Sequence, residues 1–175
     1  AAMSAQLFGL FEAKFCPRHH SESQAKEIQE LVTAELNQVE NLAEDQILKA
    51  AFSVVNAMLR TNYFQTQADG THKPYISFKL ESARVLNLPK PYPLYEIFVY
   101  SLRFEAVHLR GGKVARGGLR WSDRKEDFRT EVLGLVKAQM VKNSVIVPTG
   151  SKGGFVCKKL PDIKDHEAYM AEGIS

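Results

Sequence analysis

The sequence predicts an α/β (α+β-like) fold, with N-terminal helices followed by a mixed β-sheet flanked by helices. Three observations predict it. Apolar residues recur at the helical period up to about residue 60. Alternating apolar and polar residues bounded by turn residues follow from about 75. The helical period returns from about Asp123. The change of character falls at "TQADGTHKP", a cluster of turn residues, so the boundary is placed near residue 70: a helical segment over 1–70 and an α/β domain over 71–175.

Residues 3–15 read as a short amphipathic helix, broken by Pro17 in "CPRHHSES". Ser21 or Ser23 can cap the next helix, whose apolar positions are Ile28, Leu31, Val32, Leu36, Val39 and Leu42. Asn41 followed by Glu44 is a capping arrangement and starts a fresh helix through Ile47, Leu48, Phe52, Val55, Met58 and Leu59, ending near "RTNYFQ". "YISFKLES" alternates as a half-buried strand does, "NLPKPYP" is a connector, and "LYEIFVYS" and "RFEAVHLRGG" are further strands. "VARGGLRW" is a fourth candidate. A helix from about Asp123 then places Phe128, Val132, Leu135, Val136 and Met140 on one face. Asp123, Glu126 and Asp127 stand at its positive end, and Lys137 and Lys142 lie towards its negative end. "SVIVPTG" reads as a short buried strand, "SKGG" as a loop and "KDHEAYMAEGIS" as the start of a last helix, as in a piece of a longer protein.

Of the 175 residues, 45% are hydrophobic and 25% charged, which is enough apolar material for one domain with a core. The net charge of +3 is too small for the clustered basic face of a nucleic-acid protein, and "KVARGGLR" has no aromatic stacking platform beside it. No apolar run reaches the roughly 18 residues of a membrane span, and the opening stretch lacks the pattern of a secretory leader. Cys16 and Cys157 belong to no C-x-x-C pattern and are expected as free thiols in a reducing cytoplasm. "CPRHH" fits no common zinc spacing, so no metal site is expected.

The chemistry concentrates between Ala115 and Gly154. Gly150-Ser151-Lys152-Gly153-Gly154 frames a lysine with residues that allow a close backbone approach. A phosphate loop would need G-x-x-x-x-G-K-[ST], and Lys152 is followed by Gly153 instead. Taken alone, the pentapeptide is a tight loop carrying a solvated lysine. With Arg116 before Gly117-Gly118 and Lys142 at the end of the helix, a second reading opens. Should the three cations converge, they form a positive pocket suited to a dicarboxylate. Like charge and burial would then lower one lysine towards the range of a general base. Spacing alone does not establish that convergence.

"RGGLRW", the helix ending in "KAQMVKNSV", and "PTGSKGG" resemble the substrate-binding domain of glutamate dehydrogenases. "LRTNYFQ" and "RWSDRKEDFRTEVLGLVKAQMVKN" are closer still to the large NAD-specific bacterial enzymes. The likeness is strong over about residues 100–160 and moderate over 42–66. It implies an α/β substrate-binding domain and, in the intact cytoplasmic protein, oxidation of L-glutamate to 2-oxoglutarate and ammonia. It implies Lys152 as the catalytic lysine assisting water attack on the imino acid, and Lys142 as the holder of the α-carboxylate. Arg116, with Gly117 beside it, stands where the family has a lysine for the side-chain carboxylate; arginine keeps the charge and offers a bidentate fork. The segment between Lys142 and Lys152 is shorter than the family's usual one, which loosens the match at Lys142. The family's catalytic aspartate and its NAD-binding domain lie further along than Ser175, and no G-x-G-x-x-G opens a helix here. The resemblance therefore implies NAD bound outside this chain, a homo-oligomeric intact protein, and no catalysis by these residues alone. The competing reading is a non-catalytic module that senses a carboxylate or amino acid. A weaker one is a dehydrogenase for another amino acid.

Overall fold

Ser21 and Asn41 set the start of two of the three N-terminal helices. In the computed structural model, which describes residues 2–113, 117–142, 149–161 and 164–174, α1 spans Ala2–Phe15, α2 Glu22–Leu36 and α3 Leu42–Ala57. The Ser21 hydroxyl accepts from Gln24 N–H, and Asn41 Oδ1 accepts from the N–H groups of Ala43 and Glu44, as side-chain caps do for otherwise unpaired donors. Leu10, Ala13 and Ala25 are buried together, with Ile28, Phe52 and Val55 packed round them.

Lys14 ties α1 to the end of α3. Its Nζ donates to the carbonyls of Val55 and Asn56 at 2.7 and 3.0 Å, where a cation suits the negative helix end. Burial, and then the Arg84 guanidinium, lower its pKa from 10.5 to about 8. Folded Lys14 thus sheds its proton near pH 8 and the unfolded chain only near 10.5. Between these values the unfolded chain holds more protons, so the Lys14 contribution to stability rises with pH across that window. Urea unfolding of wild type beside Lys14→Met is expected to show their stability difference moving in favour of wild type from pH 8 to 10.5. A difference that does not change over that range would contradict the assignment.

The apolar period of α3 runs on through Met58 and Leu59, but the helix does not. It stops at Ala57, and Met58 turns extended (φ −65°, ψ 132°) to begin β1, Met58–Thr61. Pairing of Met58 with Leu80 and Thr61 with Phe78 holds these residues as an edge strand. The sheet thus begins before residue 70. Next come β2 (Tyr75–Leu80), a 3-10 turn at Ser82–Arg84, β3 (Tyr95–Ser101), β4 (Phe104–Arg110), β5 (Leu119–Trp121), α4 (Phe128–Lys142), β6 (Ser151–Cys157) and α5 (His166–Ile174). The sheet order is β1-β2-β3-β4-β6-β5, antiparallel throughout except for the parallel pair β5–β6. This is the mixed sheet flanked by helices that the sequence predicts.

Two further expectations are corrected. The helix assigned from Asp123 begins at Phe128, because residues 125–127 form a turn in which the Asp127 carbonyl accepts from Thr130 and Glu131. "SKGG" is not a loop: it opens β6, the strand between β4 and β5. Most of the expected strand "SVIVPTG" lies outside the described residues, as do residues 114–116 of "VARGGLRW".

Val107, Leu109 and Val156 of the sheet form the main core with Phe128, Val132, Leu133 and Val136 of α4. Phe78, Phe98 and Val107 stand opposite one another across β2, β3 and β4 and so share a face. Phe78 meets Phe11 of α1 at 6.4 Å between ring centroids, so α1 and α4 cover the same face. On the other face α5 lies over one corner. There Trp121 stacks between Phe155 and Tyr169, at 6.0 and 5.1 Å.

Candidate functional site

Closely packed glycines let four chain segments meet at one end of β4 and β6. Gly111 N–H donates to the Gly150 carbonyl at 2.7 Å, and a Cβ on Gly111 would press on Met140 Sδ at 3.0 Å. A Cβ on Gly112 would overlap the Thr149 side chain, and one on Gly117 would overlap the Ser151 carbonyl oxygen. Gly153 N–H donates to the Gly118 carbonyl at 3.1 Å. A Cβ on Gly150 would lie 3.1 Å from both Met140 Cγ and the Val136 carbonyl oxygen. On Gly154 it would overlap Val132. These close approaches are the reason for glycine here: any side chain would separate β6 from α4, from β4 or from the segment before β5.

Lys152 sits within this knot, half-buried, as the second residue of β6. It stands opposite Leu109, which is fully buried against α4. Lys152 therefore shares the α4-covered face of the sheet, since residues directly opposite in an antiparallel pair project to one side. The last turns of α4 dock at the same place, because Gln139 Oε1 accepts from Ser151 N–H at 3.0 Å. Lys142, exposed, is the final residue of that helix. The fold thus brings the helix end that carries Lys142, Gly117 and the strand that carries Lys152 to one corner. Arg116 lies outside the described residues, so the convergence of all three cations is not described.

Three residues between Gly118 and α4 serve the scaffold. Arg120 pairs with Glu131 of α4 at 2.6 Å, Arg124 pairs with Asp127, and Trp121 is the stacked ring under α5. Sequence reasoning passed over His108. It lies on β4, and its Nε2 is 2.8 Å from Ser151 Oγ, one residue before Lys152. Burial, and then the Arg110 guanidinium, lower its pKa below the ordinary histidine value. The only signal in the sequence is a histidine between the apolar Val107 and Leu109 of an alternating strand, which does not name its partner.

An apolar cavity of about 280 Å³ opens elsewhere, lined by Phe104, Ala106, Leu119, Phe155 and Cys157, with Arg103 and Glu172 at its rim. It reaches Cys157 at the far end of β6, about 16 Å along the strand from Lys152, and it carries none of the predicted cations. At Gly112, Gly117, Gly153 and Gly154 the gap that a Cβ would fill is taken by the chain's own atoms, so these glycines serve packing. Among the described residues no group of three or more His, Cys, Asp or Glu side chains could hold a metal ion, and Cys16 and Cys157 are free thiols. No helix there is long and apolar enough to cross a membrane.

Comparison with known proteins finds a family for the chain. The model of the bacterial NAD-glutamate dehydrogenase catalytic domain matches residues 31–175. A protein of Halomonas elongata named NAD-specific glutamate dehydrogenase is 54% identical over 174 residues, which cover 99% of this chain and 11% of that protein. A Pseudomonas aeruginosa protein of the same name is 49% identical over 178 residues, again 99% of this chain and 11% of its own length. A Neurospora crassa protein of that name is 31% identical over 141 residues, 75% of this chain and 13% of its own. The chain thus spans about a tenth of the length of the curated relatives it matches.

Proposed function

Because this chain belongs to the bacterial NAD-glutamate dehydrogenase catalytic-domain family, we propose that it forms the substrate-binding part of a much longer enzyme. That enzyme converts L-glutamate, NAD⁺ and water to 2-oxoglutarate, ammonium, NADH and a proton. The observation that carries the proposal is the setting of Lys152. It is a half-buried lysine on a strand fixed from both flanks, at the corner where α4 ends in Lys142, a setting that suits a small anionic substrate. Lys152 is the group that assists attack of water on the imine carbon. Lys142 holds the α-carboxylate and Arg116 the side-chain carboxylate, while the Gly117 backbone closes on β6. The helices of residues 1–70 support this α/β part, and the intact protein is a cytoplasmic homo-oligomer. NAD is held by residues outside this chain, a reading supported by the small share of its NAD-specific relatives that the chain spans.

The test is glutamate-dependent reduction of NAD by the full-length protein, with 2-oxoglutarate identified as the product. No reduction with glutamate, but saturable binding of it, would turn the reading towards a carboxylate-sensing module. Equal rates with leucine or valine would remove the role given to Arg116.

A further inference from the structure

Ser151 is 1% exposed and held from both faces of the sheet. Its backbone N–H donates to Gln139 Oε1 at 3.0 Å from the α4 side. Its hydroxyl meets His108 Nε2 at 2.8 Å on the other side. In the β4–β6 ladder Ser151 stands opposite Arg110 and His108 opposite Gly153, so the imidazole reaches diagonally across the strands. Gly153 makes that reach possible: a Cβ there would overlap Leu119 and lie 3.3 Å from His108 Cδ2. With its pKa lowered, His108 is neutral near pH 7 and offers the hydroxyl one complementary donor or acceptor. The residue after Ser151 is Lys152, and the residue after that is anchored by its own N–H to the Gly118 carbonyl. Every backbone atom that sets the direction of the Lys152 side chain therefore lies between two fixed points.

The geometry points to His108 as a positioning residue for Lys152, acting through its hydrogen bond to Ser151 from the reverse face of the sheet. This rests on the reading of Lys152 as the catalytic lysine. A lysine side chain has four rotatable bonds, and a displacement of about 1 Å at a reacting group can cost roughly a hundredfold in rate. Losing the imidazole frees the Ser151 hydroxyl and lets this end of β6 move against Gly117. Substrate-binding groups on other segments stay where they are, so the loss falls on kcat and spares KM.

The experiment is steady-state kinetics of the full-length protein carrying His108→Leu, His108→Gln or Ser151→Ala, beside wild type and Lys152→Ala, with thermal melting of each. Expected are a fall in kcat of about tenfold to a hundredfold for His108→Leu and Ser151→Ala, KM for glutamate changed little, and substantial recovery in His108→Gln, whose amide can renew the bond to the hydroxyl. The double variant should lose no more than either single one, since both remove the same bond. Wild-type kcat in both His108→Leu and Ser151→Ala would overturn the proposal. So would a loss that follows the melting temperature and is not recovered by glutamine. If wild type is active and Lys152→Ala is not, a normal His108→Leu defeats the positioning role alone. If wild type reduces no NAD with glutamate, the functional reading falls and this role with it.

Discussion

Lys152→Ala in the full-length protein is expected to lower glutamate-dependent NADH formation by about 10³-fold, the middle of the range for loss of a general acid–base group. The fold should survive the change. Lys152 is only half-buried, its neighbours on either side are fixed by backbone hydrogen bonds that alanine retains, and a Cβ is already present at this position. Melting temperature should therefore stay near wild type while activity collapses. Lys152→Arg separates two explanations. Arginine keeps the positive charge but does not give up its proton at accessible pH. A lysine needed only for charge would be partly replaced by arginine. A lysine that moves a proton would not, and near-complete loss in both variants is the expected pattern. Retained activity in Lys152→Ala would mean that the glycine-framed lysine serves packing alone.

Different parts of this molecule were legible in the sequence to different degrees, for physical reasons. The helix starts at Ser21 and Asn41 were readable because a cap is a local interaction between residues two or three apart. Strands β2, β3 and β4 were readable because each has an unlike face, α-covered on one side and more open on the other, and so alternates. β1 was not, since Met58 and Leu59 continue the apolar period of α3; only pairing with Leu80 and Phe78, a non-local contact, makes them extended. β6 failed for the opposite reason. Its two adjacent glycines argue for a loop by propensity, yet they are required by Val132, Leu119 and His108 crowding the strand. Where three neighbours demand an absent side chain, packing overrides local preference. Lys152 itself could be singled out by its glycine frame and its resemblance to a family. Its support from His108 could not, because Ser151 and His108 are 43 residues apart in the chain.

The corner also depends on how firmly α4 is seated, and a second large effect is expected at that seat. Glu96 of β3 is 5% exposed and faces α4. Arg129, in the first turn of α4, reaches it with both prongs, Nε to Oε1 at 2.8 Å and Nη2 to Oε2 at 2.6 Å. Such a fork satisfies a carboxylate with parallel charge-assisted bonds. Removing only the arginine leaves a buried carboxylate without its partner, next to the apolar contacts of Phe128 and Val132 with the sheet. Arg129→Met is therefore expected to destabilise the protein by about 3 kcal/mol, while Glu96→Leu combined with Arg129→Met should recover most of that loss, because a well-packed apolar pair can replace a buried ion pair without penalty. Denaturant unfolding of wild type, both single variants and the double variant measures the coupling directly. Since α4 carries Gln139 to Ser151 and Lys142 to the corner, the single variant should also lose activity, and the double variant should regain it together with stability. A loss of less than about 1 kcal/mol in Arg129→Met would mean that water reaches the Glu96 carboxylate once the arginine is gone. The ion pair would then orient the helix without holding it in place. Recovery of stability in the double variant without recovery of activity would show the opposite division: α4 can be held by apolar packing, but the fork between Glu96 and Arg129 sets the angle at which Gln139 meets β6.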